Sequence, residues 1–274
     1  MSTGHGAAPD AGEAAAPRRR SVTSVVVWFL VVEALLLLTC APGLLLLALV
    51  WPLALVTPDA DSIPLVALAL LPAGPAISAA VFAWRRFHDD PDQGAAASFW
   101  RGYRLNAVDA LTVWVPTLVV ATLLGVNLTH LGTADLAAVV AVLVTAVAVV
   151  VTAWAAHALV VASVFSFRLR DTARIAAYFV FAKPLVSLGA VALAAAALAV
   201  GVLAGGWAVA LLAAPITFLL ARNARPLVAE VMRRFVAGAP DAVVAKPWPG
   251  LDEDADESDD ADEPDEQRAD DPPH

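Results

Sequence analysis

The seventeen lysines and arginines of this chain fall into four clusters, and the long apolar blocks between the clusters contain none. The cations are Arg18, Arg19 and Arg20; Arg85, Arg86, Arg101 and Arg104; Arg168, Arg170, Arg174 and Lys183; and Arg222, Arg225, Arg233, Arg234, Lys246 and Arg268. Each of the three blocks has room for two crossings of about 20 apolar residues. A chain that crosses and returns within each block keeps every cation on one side. Cytoplasmic loops hold the positive charge because cationic segments translocate poorly. The pattern predicts an all-α, polytopic membrane protein of six transmembrane helices, with both termini in the cytoplasm, in the cell membrane.

Composition supports the membrane as solvent. The chain is 60% hydrophobic and 16% charged, with a mean hydropathy of +0.74, whereas soluble domains run near half apolar and a quarter charged. The formal charge of -9 is misleading, because residues 252–274 carry 13 of the 26 acids and one base, Arg268. Residues 1–251 carry 16 basic and 13 acidic residues, a net of +3. Residues 1–20 and 237–274 lack apolar period and read as disordered cytoplasmic ends, flanking a membrane domain over 21–236. The acidic tail excludes nucleic acid as its partner and lacks the spacing of a calcium loop. The apolar stretch from Val22 to Val56 is far longer than the about 7–15 residues of a secretory core, so it reads as a retained anchor.

The spans are expected at about 25–50, 63–83, 107–126, 136–164, 185–204 and 208–221. Pro42-Gly43 is expected to kink the first, with Trp51 at the outer interface. Pro72, Gly74 and Pro75 interrupt the second, as a packing kink or as the mark of a transporter site. Trp84, Arg85 and Arg86 are placed at its inner interface. Residues 87–106 read as the longest internal connection, ending in a headgroup-level segment whose aromatics Trp100 and Tyr103 bury while Arg101 and Arg104 reach phosphate. Residues 165–183 read as a second such connection, with a short helix capped by Asp171 or Thr172 and ended by Lys183-Pro184. Arg168, Arg170, Arg174 and Lys183 are its interfacial lipid contacts. Pro215 lies within the short sixth span, and no broken span is expected opposite the second. Residues 224–236 continue as an inner helix with Glu230 on its polar side.

Ionisable groups inside a bilayer are costly and are functional candidates by default. Glu33 and His157 sit at similar expected depths, about 10–12 Å from the inner boundary. They read as a candidate intramembrane polar pair, either proton- or substrate-coupled or a packing hydrogen bond. Asp109 is expected to pair with Arg101 or Arg104. Cys40 is a small apolar-facing residue that has no disulfide partner in the chain. Asn127-Leu128-Thr129 matches a glycosylation acceptor, a triplet that chance also supplies. There is no phosphate-binding glycine loop, metal spacing or nucleophile elbow, so no enzyme, cofactor or metal is expected.

The runs Pro72-Ala-Gly-Pro-Ala-Ile-Ser-Ala-Ala-Val-Phe-Ala-Trp-Arg-Arg-Phe87 and Ser98-Phe-Trp-Arg-Gly-Tyr-Arg-Leu-Asn106 resemble the YesL-like family, a prokaryotic membrane domain of unknown function (domain of unknown function 624). The resemblance covers roughly residues 25–235. It implies an accessory role in carbohydrate uptake beside a sugar transporter permease, and it carries no catalytic residues. Two alternatives stand beside it. One is a small secondary transporter or channel using Glu33 and His157. The other is a lipid-interacting membrane organiser, or a self-associating one, acting through Trp100, Tyr103 and the arginine clusters.

Overall fold

A computed structural model describes residues 22–56, 62–89, 94–130, 137–165 and 167–236. The expected disordered ends and the outer loops over 57–61 and 131–136 lie outside these residues. Every described element is helical: α1 Val22–Val56, α2 Ser62–Ala69, α3 Ala73–Asp89, α4 Ala95–Thr129, α5 Ala137–Val164, α6 Leu169–Ala182, α7 Pro184–Ala204, α8 Gly206–Leu211, α9 Ala213–Asn223 and α10 Arg225–Val231, with a π-helical turn over Met232–Val236. In hydrocarbon the backbone must satisfy its own hydrogen bonds, which forces helix even onto the valine-rich α5.

Five stretches are long and apolar enough to cross a membrane: Val22–Leu49, Ser62–Phe87, Ala95–Thr129, Ala137–Val164 and Pro184–Ala204. The expected sixth is different. It is split into α8, of 6 residues, and α9, of 11, at Leu212. Pro215 explains the split, since its ring clashes with the carbonyl four residues back and it has no N–H to donate. The second span is also split, by the turn at residues 70–72 between α2 and α3. A second broken span therefore exists where none was expected.

α1 continues as one helix through Pro42-Gly43, the position of the expected kink. There Gly43 is buried, and a Cβ on it would collide with the Ala69 carbonyl oxygen and lie 2.9 Å from Pro72 Cγ. The glycine lets α1 close onto the α2–α3 turn. Residues 95–106 are not a connection: they are the first three turns of α4, which begins after Gly94 (φ 74°) and runs 35 residues. The segment stays helical because Phe99, Gly102 and Asn106 form one buried face at helical spacing. At 1.5 Å per residue α4 is about 52 Å long, against a hydrocarbon core of about 30 Å. Trp84, at the end of the second crossing, is 1% exposed and belongs to the core. The α6 N-cap is Arg168, without a side-chain cap; Asp171 lies in the first turn and Thr172 is buried. Pro184 opens α7 as expected, and Gly205 (φ 91°) makes the turn into α8.

α3 is the centre of the bundle and packs on α1, α4, α5 and α9. Its Ala76, Ala79, Ala80 and Ala83 are fully buried, and small side chains let neighbouring helices approach closely. One core cluster joins Trp28, Val32 and Leu36 of α1 to Trp84 and Phe87 of α3, Phe99 of α4 and Ala214 of α9. Packing is uneven along the bundle. In α5 the buried residues run from Ala153 to Ser163, and in α7 they are Val186, Ser187 and Ala190. The other halves of both helices expose Val142, Leu143, Leu198 and Leu203. Among the described residues of α5 and α7, burial is concentrated toward the arginine-rich end.

Candidate functional site

Glu33 lies at the α8–α9 break. Leu212 ends the α8 register, so the first amides of α9 have no helical partner. Glu33 Oε2 accepts the Ala214 N–H at 2.6 Å. A carboxyl from α1 thus caps a helix that begins inside the apolar core, and the positive end of the helix dipole favours it there. The α2–α3 break is served in the opposite sense. The Trp114 indole N–H of α4 donates to the Leu70 carbonyl at 2.9 Å. Trp114 also packs against Gly74, where a Cβ would have no space. Pro72 lies in the turn, and Pro75 is buried in the first turn of α3. Hydropathy alone gave no sign of either cap, because each joins residues far apart in the chain.

His157 sits elsewhere. It is 1% exposed on α5, where its neighbours Ala158 and Leu159 cluster with Ala110 and Val113 of α4 and Ala176 of α6. Among the described residues neither ring nitrogen makes a hydrogen bond, and neither does Glu33 Oε1. Glu33 and His157 are therefore not hydrogen-bonded to each other. Asp109 is half-buried on α4, and its main-chain oxygen accepts from Thr112. Cys40 is half-buried against the α1–α3 core. Asn127 lies in the last turn of α4 and donates to the Leu123 carbonyl.

The interfacial candidates divide into three groups. Trp100 is exposed and stacks on Tyr103, with ring centroids 5.6 Å apart. The Arg104 guanidinium lies 5.3 Å over the Trp100 ring, and Arg86 lies 5.7 Å over Phe82. Arg101 is half-buried beneath this face, and Arg168, Arg170 and Arg174 are exposed. Lys183 is instead 3.7 Å from Glu230.

Glu230 is the centre of a cluster with Arg233 and Arg234, the arginines expected on the same polar side of the inner helix. It is buried, and its carboxylate also accepts from Arg233 and Arg234. Arg234 in turn donates to the Tyr178 hydroxyl of α6 at 3.1 Å. The Arg234 hydrogen bond holds the Glu230 carboxyl below the ordinary glutamate range, against its burial and with help from Arg233. The cluster pins α10 and the π turn to α6 and the α6–α7 junction.

A cavity of about 330 Å³ opens beside it, lined by Arg85 of α3, Arg222 of α9 and Arg225 of α10, with Trp84, Val160 and Phe218 among its apolar walls. No acid lines it. Trp84 is fixed in the wall by an indole N–H bond to Thr217 Oγ1 at 3.1 Å and by an edge contact with Phe218. Arg222 also borders a shallow groove of about 600 Å³ between α7 and α9, lined by Leu185, Val186, Ala192, Leu193 and Leu219.

No family model, curated protein or solved structure matches this chain.

Proposed function

We propose that the chain is a non-enzymatic, six-span component of the cell membrane that acts as an accessory or scaffold protein, with both ends cytoplasmic. The sixth crossing is α8 with α9. From Gly206 to Asn223 the pair covers about 27 Å at 1.5 Å per residue, close to the about 30 Å of a hydrocarbon core. The orientation follows from the positive charge gathered at one end of the hairpins. One observation carries the choice of a scaffold over a transporter. The intramembrane acid is engaged as a helix cap, and it makes no hydrogen bond to the intramembrane histidine. A directly coupled relay would bond the two groups to each other. Carbohydrate uptake as the process served rests on the resemblance to the YesL-like family, with a sugar transporter permease as the partner.

Crosslinking in native membranes, then purification and mass spectrometry, tests the reading. A permease or other membrane protein recovered in fixed stoichiometry is the expected result. Recovery of the chain alone, with solute flux in liposomes lost on Glu33→Gln, refutes it. That result would establish the second reading, a small transporter. The second reading draws support from the two split spans, whose inner pieces α3 and α9 pack on each other. Split spans with a helix N-terminus facing the bundle interior are the architecture of many transporter sites.

A further inference from the structure

We infer that the acidic C-terminal segment of this chain, residues 252–274, docks on the exposed arginine face of α6 and shields Arg168, Arg170 and Arg174. The inference is independent of the scaffold reading and of the orientation in the membrane. It rests on a contact that brings the end of the described chain to α6.

Helical spacing builds the face. Thr172, Ile175, Ala176, Phe179 and Val180 are the buried side of α6. Arg170, Arg174 and Tyr178, at intervals of four, project from the other side and are exposed. Arg168 is exposed at the N-cap. Among the described residues none of the three arginines forms an ion pair, and Glu230 is taken by Lys183, Arg233 and Arg234. Asp171 is the one acid of α6, so three arginines less one aspartate leave residues 168–178 a net charge of +2. The helix starts without a side-chain cap, and the positive end of its dipole adds to the arginines there.

Charge and chain geometry select the occupant. Residues 252–274 hold 13 acids and one base, and blocks of like charge at a chain end are often interaction tails. The described chain ends at Val236, in a turn already fastened to this face. Arg234 donates to the Tyr178 hydroxyl at 3.1 Å, and its guanidinium lies 5.9 Å over the Tyr178 ring. Arg174 is one helical turn from Tyr178 and Arg170 two, about 6 and 12 Å along α6. Residues 237–251 lead from the turn to Asp252, the first acid of the segment, and a chain of that length reaches up to about 50 Å. The acids are therefore tethered within reach of the arginines, which raises their local concentration far above that of a free polyanion. An anionic partner of this face must first displace the segment.

The test places nitroxide labels at Ala177→Cys, on the exposed face of α6, and at Ser258→Cys, in a full-length Cys40→Ala background. The protein is held in discs of phosphatidylcholine and read by double electron–electron resonance. A population within about 25 Å is expected, the length of α6 plus the label arms. Arg170→Gln with Arg174→Gln should reduce that population by about half or more, and so should salt at about 1 M, where screening acts beyond about 3 Å. Arg86→Gln with Arg104→Gln removes the same charge from α3 and α4 and should leave it in place. No short population in the native protein, an unchanged one in the Arg170/Arg174 variant or in high salt, or an equal loss in the Arg86/Arg104 control overturns the inference. Native mass spectrometry identifies the rival occupant. If phosphatidylglycerol is retained through Arg170 and Arg174 while the label distance ignores both, the face serves a lipid headgroup and the inference fails. Should the arginine variant not fold, exchange of the acids in 252–266 for their amides decides alone: loss of the short population supports docking, and its persistence refutes it.

Discussion

Removing the Glu33 carboxyl should destabilise the bundle in a way that depends on what replaces it. Glu33→Leu keeps the bulk and loses the acceptor. The Ala214 N–H, paired at 2.6 Å in the native protein, is then left unsatisfied in an apolar core. An orphaned buried donor costs about 1–3 kcal/mol, and side-chain hydrogen bonds measured within bilayers average about 0.6 and reach about 1.7 kcal/mol. The expected loss is about 1–2 kcal/mol, or roughly tenfold in the folding equilibrium. Glu33→Gln keeps a carbonyl oxygen at the same reach and should lose less than half as much. The proline supplies an internal check. In a Pro215→Ala background the α8–α9 helix can close, the Ala214 N–H can turn to its own helix, and the penalty of Glu33→Leu should shrink. The assay is reversible unfolding in mixed micelles titrated with dodecyl sulfate, followed by tryptophan fluorescence, as a double-mutant cycle. A neutral Glu33→Leu, or Glu33→Gln as damaging as Glu33→Leu, would refute the capping argument. So would a Pro215→Ala background that leaves the penalty unchanged.

Three further outcomes are expected. Trp114→Phe should cost about 0.6 kcal/mol in the same assay, the bilayer average, because the Leu70 carbonyl it leaves still accepts from Ala73; a loss above 2 kcal/mol would mean the break depends on the indole for more than that bond. His157→Leu should be nearly neutral, since it puts an aliphatic side chain of similar size into the apolar cluster of Ala110, Val113 and Leu159, and a clear drop in melting temperature would reveal a polar role. For Glu230 the sign is set by a folded-state pKa held below its unfolded value. Its anchoring of α10 is complete above the ordinary glutamate pKa and is lost as pH falls through the lower, folded value. Hydrogen exchange in α10 should therefore stay slow near neutrality, rise only in strong acid, and rise at all pH values in Glu230→Gln.

The long apolar stretches were legible from hydropathy: α5 and α7 lie within a residue of the expected bounds, whereas α1 starts three residues earlier and ends six later than expected. Hydropathy reports exposure to lipid and is blind to helix continuity. Asn106 and the nearby arginines therefore looked like the end of a connection, although Phe99, Gly102 and Asn106 already carried the helical spacing of a buried face. The broken sixth crossing was hidden for a related reason. Pro215 was visible, but its consequence is settled by Glu33, and a pairing across 181 residues leaves no local trace. The isolation of Glu33 from His157 was equally invisible, since depth along a span says nothing about which way a side chain faces. Sequence placed Glu230 on the polar side of its helix and could not show its burial or its third cation, the distant Lys183.

The unbroken course of α4 makes it a lever. Its aromatic and basic surface at one end and its last turn near Asn127 belong to one continuous helical rod, with Pro116 inside it and no break at the membrane boundary. A thinner bilayer makes long helices tilt, and tilting this rod must sweep Trp100 and Arg104 through the headgroups while swinging the far end sideways. Because Trp114 on the same rod holds the break in the second crossing, bilayer thickness should be felt at that break as well as at the surface.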